Sequence, residues 1–156
     1  MFNQPTPIGF AGKVELVLYD AKTQSAVTAW VHHNTPTLTL RSGLAAWMTG
    51  SAFAPPTHIA LGTGTASATN ISASSLHMEI ARSAITTNQL WNTYSALFIT
   101  TFGTNQGNGT IREVGLLNSA TGGALWAIAS APSIVKTTAN TLQATWYLAV
   151  TSGSAL

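Results

Sequence analysis

The chain of 156 residues contains no cysteine, which removes disulfide frameworks, thiolate metal sites and thiol nucleophiles together. Charge is almost as scarce. Asp, Glu, Lys and Arg make up 6% of the residues, against about 25% in an ordinary soluble chain. The acids are Glu15, Asp20, Glu79 and Glu113, so a catalytic carboxylate pair could arise only by folding. The basic residues Lys13, Lys22, Arg41, Arg82, Arg112 and Lys136 are scattered, and a net charge of +2 spread in this way is no nucleic-acid surface. No apolar run approaches the ~18–20 residues of a membrane span. Residues 1–12 lack the basic and apolar regions of a signal peptide. These absences argue for a soluble, unexported chain with no nucleic-acid and no membrane partner.

What is present is hydrophobic and neutral polar. Hydrophobic residues make up 46% of the chain, and Thr, Ser and Asn fill most of the rest. The surface must then consist of hydroxyls, amides and apolar groups. Solubility of a free monomer normally leans on mixed surface charge. A fold without it is best kept in a permanent assembly, so the expected partner is the chain itself, as a homo-oligomer. The alternative is a thermostable or secreted adhesion domain with a Thr-rich face.

The hydrophobic pattern has period two along most of the chain. Lys13 to Asp20 alternates and reads as a strand. A polar turn follows, and Ala26 to His32 returns as the second strand of a hairpin. Leu38, Leu40, Leu44, Trp47 and Met48 recur at three and four residues, predicting a short helix capped by Thr37 or Thr39, weakened by Gly43 and stopped by Gly50. His58 to Leu61 is a short strand, and Gly62 to Ser75 a long loop. Leu76 to Arg82 reads as a turn of helix or an irregular crossing. Ser83 to Leu90, Asn92 to Phe102, Ile111 to Leu117, Leu125 to Ala129 and Leu142 to Val150 read as strands. Asn118 to Gly123 is a hairpin turn, and Pro132 to Ala139 a connection. The pattern predicts an all-β chain, an antiparallel β-sandwich or jelly-roll-like barrel with one short helix. It divides into an N-terminal arm over 1–12, a single domain over 13–150 and a flexible tail over 151–156. Leu16, Leu18, Ile59, Leu61, Phe98, Val114, Leu116, Trp126, Trp146 and Leu148 are the expected core.

Little here carries chemistry, and neither catalytic residues nor a cofactor are assigned. Glu79 and Glu113 each lie in an uncharged stretch with an arginine near, Arg82 and Arg112. Residues 112 and 113 point to opposite faces of a strand, so one of them faces inward or toward a covering loop, where an unpaired charge is costly. The expectation is a set of structural ion pairs among Glu79, Arg82, Arg112 and Glu113, with at least one cross-pair, Glu79–Arg112 or Arg82–Glu113, or else a carboxylate bonded to loop amides. A glycosidase-like carboxylate pair is the catalytic alternative. His77 and Glu79 would share a face of an extended segment, but no metal-ligand spacing accompanies them. Gly62 and Gly64 form a lone GxG without the third glycine and helix of a dinucleotide site. It reads instead as a tight turn in which glycine permits positive φ. Of the tryptophans, Trp126 and Trp146 sit in strand patterns and read as core. Trp91, between NQL and NT, is the candidate exposed aromatic contact, for an interface or a sugar.

The order of these segments carries a resemblance. Ile59-Ala60-Leu61-Gly62-Thr63-Gly64 is followed by a Ser/Thr-rich loop, then Leu76, Glu79 and Arg82. A long strand follows, then Ile111 to Asn118, Gly122-Gly123, Lys136 and a closing strand over Thr145 to Val150. Upstream stand His33-Asn34, Thr39 and Gly43-Leu44 before the helix. Over nearly its whole length the chain resembles small structural proteins of tailed bacteriophages, including tail-collar fibre and tail-fibre-associated families. The resemblance implies a non-enzymatic virion component, assembled in the host cytoplasm, whose partners are copies of itself and other phage structural proteins. It belongs to the tail, collar or baseplate/fibre attachment, or alternatively to the head as a capsid decoration protein. A host surface glycan is the further candidate ligand.

Overall fold

A computed structural model describes residues 8–65 and 70–152. Two antiparallel five-stranded sheets pack face to face as a β-sandwich, with one helix beside them. Sheet A has the order β2-β1-β10-β7-β6, from β1 (Ile8–Asp20), β2 (Ala26–His33), β6 (Thr87–Asn92), β7 (Ser95–Phe102) and β10 (Asn140–Ser152). Sheet B has the order β3-β9-β8-β4-β5, from β3 (Thr35–Pro36), β4 (His58–Gly62), β5 (Glu79–Ala84), β8 (Gly109–Leu117) and β9 (Leu125–Lys136).

The period-two pattern explains the packing. Val14, Leu16 and Leu18 of β1 and Leu142, Ala144, Trp146 and Leu148 of β10 project between the sheets. They meet Ile59 and Leu61 of β4 and Val114 and Leu116 of β8 there. Of the residues expected in the core, all are buried except Trp126, which is half-exposed and stacks flat on Phe53 at 5.0 Å between ring centroids. The same Phe53 ring accounts for the glycine in the helix. A Cβ on Gly43 would come within 2.2 Å of it.

Helix α1 (Leu38–Met48) is capped as expected by Thr37, whose hydroxyl accepts from the Leu40 N–H at 3.3 Å. That hydroxyl also donates to the Leu125 carbonyl and so ties the helix to β9.

Several boundaries differ from the sequence reading. The arm is not separate from residue 8 onward, because Ile8 to Gly12 pairs with Leu148 to Ser152. The sheet likewise takes in Thr151 and Ser152 from the expected tail, and 1–7 and 153–156 lie outside the described residues. The segment at Glu79 is a strand, β5, held by pairing with β4. The strand expected over Ser83–Leu90 is split, because the chain leaves sheet B after Ala84 and enters sheet A at Thr87. Pro132 does not end β9. It falls in an irregularity opposite Arg112, where Ser133 takes a φ of 58°, and pairing resumes at Ile134.

Candidate functional site

Glu113 stands in β8 opposite Gly62 of β4, and its side chain is fully buried. Its carboxylate turns to the outer face of sheet B and meets the backbone of the 63–78 connection there. Oε1 accepts from the Gly64 N–H at 3.2 Å and the Met78 N–H at 2.6 Å, and Oε2 from the His77 N–H at 3.0 Å. One side chain thus grips the connection near both ends. Pinned in this way, the connection lays Leu76 and Ala73 over Ala60, Leu117, Leu125 and Ile128, a second apolar cluster outside the main core.

The Gly-Thr-Gly sequence follows from this clasp. A Cβ on Gly62 would lie 2.4 Å from Glu113 Oε1, and one on Gly64 would lie 2.6 Å from it. The positive φ expected here is not found: the glycines in that region are Gly50, Gly107, Gly109, Gly122 and Gly123. Gly62 and Gly64 are glycines because the carboxylate occupies the space that their side chains would take.

The expected cross-pairs do not form. Arg82 instead pairs with Glu79 three residues before it, through a two-pronged contact of 2.8 and 2.6 Å. Its remaining nitrogen donates to the Ser119 and Gly122 carbonyls, both at 2.8 Å, joining edge strand β5 to the β8–β9 turn. Arg112 is exposed and reaches Ser133 Oγ at 3.4 Å. Of the four charged residues, Glu79 and Arg82 pair with each other, while Arg112 and Glu113 join no ion pair among the described residues. Backbone amides satisfy Glu113, so no cation has to cross the sheet to it.

A buried cation escaped the sequence reading as a site. Lys136 is 1% exposed and donates from Nζ to the Gly103 carbonyl at 2.7 Å and to Asn108 Oδ1 at 3.0 Å, closing the 103–108 loop. Burial holds its pKa below the usual lysine value. The available signal is its isolation, a single charge directly after Ile134 and Val135 in a chain with almost no charge.

No group of three or more His, Asp or Glu side chains that could hold a metal occurs among the described residues. Glu79 and Glu113 flank Gly62 from either side of β4, but one is engaged by Arg82 and the other by three amides. Chemically, the arrangement holds loops in place.

Trp91 is exposed as expected. It lies at the outer end of β6, edge-on to Tyr147 at 5.4 Å, and the Lys13 ammonium sits 4.7 Å above the Tyr147 ring. Leu90 and Tyr94 beside it are 78% and 72% exposed. Comparison with family models, curated proteins and solved structures gave no match.

Proposed function

We propose that the chain is a non-enzymatic structural subunit of a bacteriophage particle, placed in the tail, collar or baseplate/fibre attachment and acting through assembly with itself and other particle proteins. One observation carries this reading. Four of the ten charged groups, Glu113, Lys136 and the Glu79–Arg82 pair, hold the protein's own loops in place, while large apolar side chains stand exposed at Leu90, Trp91 and Tyr94. A rigid sandwich with a neutral, partly apolar surface suits permanent contact with other subunits better than life as a free monomer. The resemblance in segment order supports the particle assignment.

The test is mass spectrometry of gradient-purified particles from the genome that encodes the chain, with gold labelling to locate it. Detection at stoichiometric level supports the reading, and absence from particles refutes it. Label on the shell instead of the tail assigns the head-decoration role. The exposed Trp91 favours a second reading, a glycan-binding module, because an open indole face is what a sugar ring stacks on. Binding on a glycan array that is lost in Trp91→Ala would establish it.

A further inference from the structure

The two sheets end differently. Sheet B stops on β3, a strand of two residues that includes Pro36 and leads into α1, and on β5, whose Glu79–Arg82 pair guards the edge. Short edges, proline and charge are the usual devices against unwanted strand addition. Sheet A uses neither proline nor charge, and each of its edges has instead a single register break, at Val27 of β2 and at Trp91 of β6. Its edges, β2 and β6, contain no Asp, Glu, Lys, Arg or Pro.

The edges of sheet A are themselves unlike. Beside β2 stand the charges of β1, with Lys13 paired to His33 and Glu15 to Val31. At the other edge, the adjacent strands β6, β7 and β10 carry no charged side chain at all. From Asn88 to Asn92 every residue of β6 is exposed. Leu90, Trp91 and Tyr94, with Val150 at 49% exposure, give this end a cluster of apolar side chains facing solvent.

We infer that β6 is the assembly edge, and that a second copy of this chain adds there, β6 against β6 in antiparallel fashion about a two-fold axis. The inference rests on the reading of the chain as an assembling subunit and specifies how it assembles. A charged partner strand would have to bury its charges against three strands that carry none, and the Lys13 ammonium that reaches this end is already held over the Tyr147 ring. A strand as neutral as β6 meets no such cost, and the second copy supplies one. Antiparallel self-pairing also makes the contact isologous and closed, as in the commonest class of homo-oligomer. The product is one continuous sheet across two sandwiches. Six residues form few interstrand hydrogen bonds, so burial of Leu90 and Trp91 against the mate provides most of the affinity.

The absence of native cysteine allows a direct test. Gln89→Cys on β6 and Ala29→Cys on β2 are made in the full chain and oxidised at micromolar concentration. In parallel, light scattering gives the mass of the wild type and of Leu90→Lys, Trp91→Lys and the β2 control Val31→Lys. Urea midpoints confirm that each variant is folded. With Gln89 opposite its counterpart across the two-fold axis, the expected result is a disulfide-linked dimer from Gln89→Cys and none from Ala29→Cys. Either lysine on β6 should weaken self-association by about tenfold or more, the scale of losing one interfacial hot spot, while Val31→Lys leaves it unchanged. Three results overturn the inference: a wild type of single-chain mass, cross-linking at β2 instead of β6, or Trp91 shielded by oligosaccharide with no change in mass. An assembled wild type whose mass survives both β6 lysines refutes this edge but leaves the particle reading standing. Failure to find the chain in particles refutes that reading without bearing on the cross-link.

Discussion

Replacing Glu113 by Ala withdraws the acceptor from three backbone amides in a single step. Bonds from amides to a charged acceptor contribute about 1.5–3 kcal/mol each, so a simple sum gives about 4.5–9 kcal/mol. Two effects reduce it. Removing a buried charge recovers part of its desolvation cost, and a freed connection lets some amides reach water. A net loss of about 3–5 kcal/mol is expected from urea unfolding, a large share of the ~5–15 kcal/mol that holds a domain together. Stability loss alone would not identify the clasp, and Gly62 supplies the specific test. The three atoms nearest a Cβ built on Gly62 all belong to Glu113, at 2.4, 2.6 and 2.8 Å. Gly62→Ala should therefore cost about 1–3 kcal/mol in the wild type, by crowding the carboxylate. In the Glu113→Ala background it should cost nothing, or stabilise slightly by stiffening the unfolded chain. The double-mutant cycle should show a coupling of about 1–3 kcal/mol, with the Gly64, His77 and Met78 amides losing protection from hydrogen exchange in Glu113→Ala. Equal costs of Gly62→Ala in both backgrounds, or amide protection unchanged by Glu113→Ala, would refute the clasp.

Other perturbations follow from the same contacts. Arg82→Ala should destabilise by about 1–3 kcal/mol in urea unfolding, and Arg82→Lys should not restore it, because an ammonium cannot reproduce the fork on Glu79 while holding two carbonyls. A double-mutant cycle on Glu79 and Arg112 should give no coupling. Burial lowers the folded pKa of Lys136, so the folded state releases that proton first and stability rises with pH as the solution climbs from the folded pKa toward the unfolded value. Denaturation of wild type against Lys136→Met across the alkaline range should show this rise in the wild type alone. The exposed Asp20 carboxyl is held below its ordinary range by the Thr23 and Lys22 amides and the Thr23 hydroxyl. Its small contribution is present above about pH 4 and disappears as pH falls through the lowered folded pKa, so acid titration of Asp20→Asn should lack that step. Leu116→Ala, in the centre of the core, should cost about 2–5 kcal/mol by the same unfolding assay.

Where local chemistry determines structure, the sequence was a good guide. Alternation of Val14, Leu16 and Leu18 placed β1, and the Thr37 hydroxyl began α1 where it was expected to. Where a distant partner decides, it was not. Ile8 to Gly12 has only Ile8 and Phe10 as strand formers, set among Gly9, Ala11 and Gly12, and becomes strand because Leu148 to Ser152 lies beside it. The passage from β5 to β6 looks like one continuous extended run, because nothing local marks a change of sheet between Ala84 and Thr87. The clasp illustrates the same division. Glu113 beside Arg112 in an apolar strand marks a charge that needs a partner, but the Gly-Thr-Gly sequence reads as a tight turn and does not show that its glycines make room for that carboxylate. The donors were main-chain amides, and these have no residue type by which to be recognised.

The pairing of β1 with β10 has a mechanical consequence. Both strands are 13 residues long and run antiparallel in register from Ile8 opposite Ser152 to Asp20 opposite Asn140. Tension between residues 8 and 152 would act across the free end of this pair and peel it open one rung at a time, like a zipper. Tension between residues 8 and 140 would run along the strands and load all the rungs together, in shear. The protein is thus built to yield at one corner and to resist along its length, and anything tethered at residue 8 or residue 152 hangs from the compliant corner.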